Sequence, residues 1–258
     1  MTNNPFTPAQ REALLELRRE WTERRIVLIG ASALACQIEM RWRRTNDIDL
    51  TIVAEQKELA ADLTSLGWKR DARLEQRWMS PQGVLVDALP ASHADIAAGK
   101  LVFAESGHVM NLAGFDLALA HHVPVSLGPA HFIDVAIVPV VVILKMAAWL
   151  DRPAERDRDL QDLAHVFNEY LEPDASRRWE DELIEAQLAY EDQSAFALGR
   201  DIGAVAKEVH YQLIIGFLAA VSDDSAAAHA SFARYLAHEN SSTILDARLQ
   251  AFRRGLIR

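Results

Sequence analysis

Apolar positions change their spacing at about residue 137. Before it, short stretches of two kinds alternate. Thr7-Pro8 sets a hydroxyl cap and a first-turn proline ahead of a helical run that continues to about Glu23. Arg25-Ile26-Val27-Leu28-Ile29 is short, continuous and β-branched, the pattern of a buried strand, and it stops at Gly30. Residues 31–42 read as a helix. From Asp47 to Val53 the alternation is strict, with Ile48, Leu50 and Ile52 on one side and Asp47, Asp49 and Thr51 on the other. Residues 55–66 are helical and close at Gly67. Strands are expected near 68–70, 74–79 and 84–89, with Pro81-Gln82-Gly83 turning the chain between the last two. Further short strands are expected near 101–104, 109–112 and 132–135.

Beyond Pro139 the strand pattern fades. Helical spacing recurs over roughly 140–151, 155–171, 177–190, 194–208, 208–221, 224–238 and 242–255, with Pro173, Gly199 and Gly203 as punctuation. The expected fold class is α+β: a mixed β-sheet with flanking helices over residues 1–136, followed by an all-helical domain over residues 137–258. No internal repeat or low-complexity segment breaks this division.

Composition adds a few limits. Half of the 258 residues are hydrophobic and a quarter are charged, which suits a globular chain with a sizeable core. The formal net charge is −10, so a broad nucleic-acid surface, which would need basic excess, is not expected. A local basic patch at Arg24, Arg25, Arg41, Arg43 and Arg44 is the place where such a partner could be held; solvated helix-end charges are the plainer account of it. Cys36 is the single cysteine, which excludes an internal disulfide or a cysteine zinc site and fits a reducing compartment. The run Val135–Leu144 is interrupted by Pro139 and stopped by Lys145, too short for a membrane span, which needs roughly 20 apolar residues. The first ten residues have no signal-peptide pattern. A cytoplasmic protein without a membrane partner is expected.

The candidate chemistry lies in three segments: Gly30-Ala31-Ser32, Arg44-Thr45-Asn46-Asp47-Ile48-Asp49-Leu50, and Val84-Leu85-Val86-Asp87. Asp47 and Asp49, two apart on a strand, put both carboxylates on one face. Asp87 ends an apolar strand that could pair alongside. Like charges brought this close repel, and a divalent cation is the natural neutraliser; hard oxygen ligands suit Mg²⁺, with Mn²⁺ as a substitute. Gly30-Ala31-Ser32 stands at a strand-to-helix junction, where small residues let a phosphate approach backbone N–H groups and the Ser32 hydroxyl can donate. Taken singly, each piece has an ordinary explanation as a surface strand, a loop or a turn residue. Their order along the chain is what joins them. His121-His122 shows no zinc spacing and, as adjacent residues on a helix, diverges. Trp42, Trp68, Trp78, Trp149 and Trp179 read as core or interface anchors.

Gly30-x-Ser32, then Asp47-x-Asp49, then Asp87 resembles the polymerase-β-like nucleotidyltransferase superfamily. More narrowly, LIGASAL and RRTNDIDL look like AbiEii/MenT-type nucleotidyltransferases, which include toxins of toxin–antitoxin systems. Ala31 departs from the family pattern, where a second glycine is usual. The segment Leu144-Lys145-Met146-Ala147 with Asp151-Arg152 and Arg156-Asp157-Arg158-Asp159-Leu160-Gln161-Asp162 is similar to a second family motif. The resemblance covers about residues 25–165.

The resemblance implies a nucleotidyltransferase-type fold and Mg²⁺-dependent transfer of a nucleoside monophosphate from a nucleoside triphosphate to an acceptor hydroxyl, with release of pyrophosphate. Asp47, Asp49 and Asp87 would hold the metal. Gly30, Ala31, Ser32, Arg44, Thr45 and Lys145 would bind the nucleotide, and Lys145 and Asp159 (Asp162 as the weaker choice) would complete the catalytic set. Arg152 and Asp159 could instead form an ion pair between consecutive helices. The acceptor would be tRNA, another RNA or a protein, with an antitoxin as partner. A small molecule of the aminoglycoside type is the alternative acceptor, and a catalytically silent nucleotide-binding or protein-interaction module is the alternative class.

Overall fold

The computed structural model describes residues 5–223, 227–236 and 241–257. The chain divides into two compact units, residues 1–141 and 142–258.

The first unit begins with α1 (Pro8–Glu20). Its start is a capping box: the Gln10 amide donates to Thr7 Oγ1 at 3.2 Å, and Gln10 Oε1 accepts from the Thr7 amide at 2.9 Å. Then come β1 (Ile26–Ile29), α2 (Gly30–Ala35), β2 (Ile48–Ile52), α3 (Gln56–Ser65), β3 (Lys69–Arg70), β4 (Arg77–Met79) and β5 (Leu85–Pro90). They are followed by α4 (His93–Ala98), β6 (Lys100–Val102), β7 (Val109–Asn111), α5 (Phe115–Ala120), β8 (His122–Gly128) and β9 (His131–Ala136). Among the described residues the main sheet has seven strands in the order β3-β4-β5-β2-β1-β9-β8, while β6 and β7 form a separate ribbon. The sheet is mixed: β1 runs parallel to β9 and antiparallel to β2, and β2 runs parallel to β5. The central position of β1 explains its unbroken apolar run, because all four of its residues are buried.

Three local differences from the sequence reading have physical causes. The helix expected over 31–42 stops at Ala35. From Gln37 to Arg43 polar and apolar residues alternate, which gives no helical stripe to bury. The strand β8 escapes notice because Pro124 interrupts it, and proline is tolerated there because β8 is an edge strand. The helices α4 and α5 are six residues each, too short for a periodicity to register. His121 and His122 stand at the junction of α5 and β8 rather than on a helix, and His122 Nδ1 lies 3.3 Å from Asp134 Oδ1.

The second unit is helical. α6 (Val138–Asp151) enters it, so the division falls inside this helix rather than ahead of it. Pro139, which breaks the apolar run in the sequence, stands in the first turn of α6, where a missing N–H costs nothing. There follow α7 (Asp157–Glu169), α8 (Asp181–Glu185), α9 (Gln193–Val205), α10 (Glu208–Ser222), α11 (Ala227–Arg234) and α12 (Ser241–Leu256). Residues 224–226 and 237–238 of the helix expected over 224–238 lie outside the described residues. The stretch expected as one helix over 177–190 is broken into a 3-10 turn at Ser176–Trp179, α8 and a second such turn at Tyr190–Asp192. Trp179 is 76% exposed and anchors no core, unlike Trp68, Trp78 and Trp149.

An aromatic cluster fills this second unit. Phe167 stacks on Phe252 with centroids 4.8 Å apart, and Phe232 meets Phe167 and Phe217 edge-on at 5.8 Å and 6.0 Å. Gly199 is a contact point rather than a helix break: a Cβ there would lie 2.2 Å from the Phe252 carbonyl oxygen. One on Gly255 would lie 2.1 Å from that of Phe196, so α9 and α12 pack backbone against backbone. Among the described residues no single helix is long and apolar enough to cross a membrane.

Candidate active site

The order of the first unit's strands brings the three sequence segments together. Gly30 follows β1 and opens α2 with φ of +67°, a left-handed conformation that disfavours any side chain. It must also be small. Ile29 pairs with Asp49 across the β1–β2 ladder, and a Cβ on Gly30 would lie 2.1 Å from Asp49 Oδ2. The glycine and the aspartate therefore share one space. Ser32 is buried, and its hydroxyl donates to the Asp47 carbonyl oxygen at 2.8 Å. That bond ties α2 to the start of β2, so the hydroxyl expected to face a phosphate is already committed. Thr45 Oγ1 donates to Asp47 Oδ1 at 3.0 Å and fixes the direction of that carboxylate. Arg44 is exposed, and Ala31 is buried.

Asp49 and Asp87 are direct neighbours in the parallel β2–β5 register. In-register residues of adjacent strands share a face, so Asp49 and Asp87 project from one side of the sheet, and Asp47 stands one residue ahead of β2, near enough for its charge to act on the same neighbourhood. Ile48, Leu50, Val86 and Ala88 hold the opposite side in the core.

The sequence reading did not supply Arg77. Arg77 pairs with Asp87 across the antiparallel β4–β5 ladder. Its Nε donates to Asp87 Oδ1 at 2.7 Å and its Nη2 to Oδ2 at 2.8 Å, the bidentate fork geometry in which arginine binds a carboxylate most strongly. These hydrogen bonds raise the Arg77 pKa above the ordinary arginine value, against a smaller opposing effect of burial, and the charges of Asp87, Asp47 and Asp49 add to it. The guanidinium thus belongs to the field of all three aspartates. A signal for it does exist in the sequence: a hairpin centred on Gln82 sets residue 77 opposite residue 87.

The donor set of this face bears on the expected metal. Three carboxylates offer the hard oxygens that Mg²⁺ takes. All three aspartates fit that role in kind, and Asp87 already accepts two bonds from Arg77 and Asp47 one from Thr45. Among the described residues no three or more His, Cys, Asp or Glu side chains are gathered in a metal-holding arrangement.

The second unit holds the other assigned residues. Lys145 on α6 is 6% exposed. Its ammonium lies 2.8 Å from Asp159 Oδ1 and 2.7 Å from Asp162 Oδ2, both on α7. Burial works to strip its proton, but the charges and hydrogen bonds of the two aspartates outweigh this and hold its pKa above the usual lysine value. Arg156 Nη1 approaches Asp159 Oδ2 at 3.9 Å. The ion pair considered between Arg152 and Asp159 is not the one formed: Arg152 meets Asp151 at 3.4 Å and Glu155 at 3.6 Å.

The arginines read as a basic patch serve separate ends. Arg24 pairs with Glu58 at 2.5 Å and Asp62 at 2.8 Å, Arg25 donates to the Leu119 carbonyl at 3.1 Å, and Arg41 pairs with Glu39 at 2.5 Å.

No protein-family model matches the chain, and no curated protein does. Among solved structures the chain is similar to the antibiotic-resistance factor ANT(2'')-Ia, whose solution structure is described as showing substrate-regulated conformation dynamics. The TM-score is 0.40 and the identity 14%, over 81% of this chain and 89% of that one.

Proposed function

We propose that the protein is a metal-dependent nucleotidyltransferase whose reacting groups are organised by the carboxylate face of the first unit. What supports this reading above all is one juxtaposition: Asp47 stands just ahead of β2, Asp49 lies on it, Asp87 stands in register with Asp49 on β5, and Gly30 closes over Asp49 with no room for a Cβ. A surface strand has no need of a glycine pressed against its aspartate. The motif resemblance of RRTNDIDL points the same way.

In the proposed reaction an acceptor hydroxyl oxygen forms a bond to the α-phosphorus, the bond from that phosphorus to the bridging oxygen breaks, and pyrophosphate leaves. Asp47 and Asp49 would hold a divalent ion, Mg²⁺ or Mn²⁺. When bound, that ion would supply charge neutralisation of the triphosphate and orientation of its α-phosphate. Thr45 keeps the Asp47 carboxylate aimed, and Ser32 keeps β2 fixed to α2. Asp87 is the residue assigned to the acceptor proton. Its two bonds from Arg77 fix the direction of that carboxylate. The backbone around Gly30 and Ala31 is the assigned phosphate approach, and catalysis would be mainly positioning and charge stabilisation.

The toxin-like reading, with tRNA or protein as acceptor and an antitoxin partner, rests on the motif resemblance. The net charge of −10 and the pairing of Arg24 and Arg41 with carboxylates favour a small cationic acceptor, as an aminoglycoside would be. Labelled nucleoside triphosphates offered with Mg²⁺ to a cell lysate and, separately, to an aminoglycoside panel distinguish the two acceptors. Asp49→Asn is expected to remove the transfer while leaving the circular dichroism spectrum intact. Transfer at an unchanged rate by this variant refutes the assignment.

A further inference from the structure

We propose that the first unit carries a second ligand site, on the reverse face of β4 and β5, built for a small zwitterion with an aromatic ring, as an aromatic amino acid is. It lies away from the carboxylate face and does not depend on the transfer reading.

Strand alternation places this site. Arg77 and Asp87 face one side of the sheet, and the residues that follow them, Trp78 and Ala88, face the other. On that other side Trp78, Ala88 and Pro90 line a cavity of about 340 Å³. Leu59 of α3 and Phe103, just after β6, complete its apolar lining. Protein interiors leave few voids larger than a water molecule, and this one falls at the lower end of the range for small-molecule pockets.

The segment that follows β6 is fastened over the cavity by side chains. The Ala104 amide donates to Gln56 Oε1 at 3.1 Å. The Glu105 and Ser106 amides donate to the two oxygens of Glu75 at 3.2 Å and 2.7 Å. The Glu75 side chain is 9% exposed and also meets Arg70 at 3.1 Å. A nearly buried carboxylate committed to two amides and a guanidinium holds this segment in place, so the space beneath it is a fixed feature of the fold.

The lining decides what fits. Trp78 and Phe103 are buried and offer a ring the aromatic partners it packs on best. The lining charges that reach solvent have opposite signs and stand on different elements. Lys57, the second residue of α3, is exposed, and the Glu55 side chain does not cap that helix, so its positive end adds to the lysine in favour of a carboxylate. Glu105 is 71% exposed and meets Arg70 at 2.7 Å. An exposed pair of this kind is weak and exchanges readily, so Glu105 can turn to an ammonium while Arg70 keeps Glu75. An aromatic interior with one cation and one anion at its rim matches a molecule that has a ring, a carboxylate and an ammonium.

Equilibrium dialysis of the full chain against labelled phenylalanine, with unlabelled competitors, tests the site. Saturable binding is expected. Phenylethylamine, which lacks the carboxylate, and phenylpropionate, which lacks the ammonium, should each compete about fivefold less well, the most that an exposed charge contact supplies. Lys57→Gln should weaken phenylalanine binding and leave phenylethylamine unaffected; Glu105→Gln should weaken phenylalanine and leave phenylpropionate unaffected. Ala88→Leu should fill the cavity and abolish binding, and if that variant fails to fold the two surface variants decide. The proposal is overturned by an absence of saturable binding, by equal competition from either analogue, or by binding that both rim variants leave unchanged. Binding retained in a folded Ala88→Leu puts the ligand elsewhere and overturns it as well.

Discussion

Gly30→Ala isolates the contact between the glycine turn and Asp49, because the protein contains its own control. Gly30 and Gly99 have the same φ of +67°, yet a Cβ on Gly99 would meet nothing within 4 Å. The backbone penalty of placing alanine in the left-handed region, about 1–2 kcal/mol, is therefore common to both. Only Gly30→Ala adds a collision. Its Cβ would stand 2.1 Å from Asp49 Oδ2 and 3.0 Å from Asp49 Cβ, and ordinary contact begins at 3.4 Å, so the oxygen must retreat by about 1.3 Å. The Asp49 backbone cannot follow, since β2 is laddered to β1 and β5 on either side. The side chain must then leave its rotamer well, at about 0.5–1.5 kcal/mol. Urea denaturation followed by tryptophan fluorescence should show Gly99→Ala losing about 1–2 kcal/mol and Gly30→Ala about 2–3 kcal/mol. Adding Asp49→Ala to Gly30→Ala should recover part of the excess, the coupling expected of residues in contact. In a transfer assay a displacement of this size should cost on the order of 100-fold in rate, while Gly99→Ala should cost nothing beyond stability. Equal destabilisation by the two alanine variants would refute the shared-space argument.

Two further outcomes follow from the buried groups. Lys145→Met should destabilise the protein by about 3–5 kcal/mol, because it leaves Asp159 and the fully buried Asp162 without their counter-charge. Adding Asp159→Asn and Asp162→Asn should restore much of that loss in the same denaturation assay, and a Lys145→Met variant as stable as wild type would show that the triad carries no such load. Burial pushes the Cys36 thiol up to about 12, so a thiol-specific reagent at pH 8 should label it only on unfolding, and rapid labelling of the native protein would contradict the burial. The sign for stability is a loss as pH rises from the unfolded value of 9.0 through about 12, since the unfolded thiol ionises first; Cys36→Ala should remove that part of the alkaline slope.

The carboxylate face was legible in the sequence because it depends on two short-range rules. A period of two puts Asp47 and Asp49 on one side, and the turn at Pro81-Gln82-Gly83 marks the strand that ends in Asp87. The buried β1, the hydroxyl cap of α1 and most helices of the second unit were readable for the same local reason. The misses were of two kinds. The helix expected over 31–42 ends early because polar and apolar residues alternate from Gln37 to Arg43, and β8 pairs with β9 despite Pro124. Gly199 and Gly203 look like helix breaks until the backbone of α12, distant in sequence, is brought against α9.

The charged groups show the same limit most clearly. Sequence patterning placed Asp87 at the end of an apolar strand and offered its charge a metal, and the family resemblance offered Lys145 a bound nucleotide, so both counter-charges were sought outside the chain. The fold supplies it from within: Arg77 for Asp87, across a hairpin, and Asp159 with Asp162 for Lys145, one helix further on. A buried charge cannot wait for a ligand, because the desolvation penalty falls due on folding itself. Any ligand that reaches Asp87 or Lys145 must therefore exchange with a partner already in place. Its apparent affinity is the difference between two strong interactions, and removing the internal partner should tighten binding at the same time as it weakens the fold.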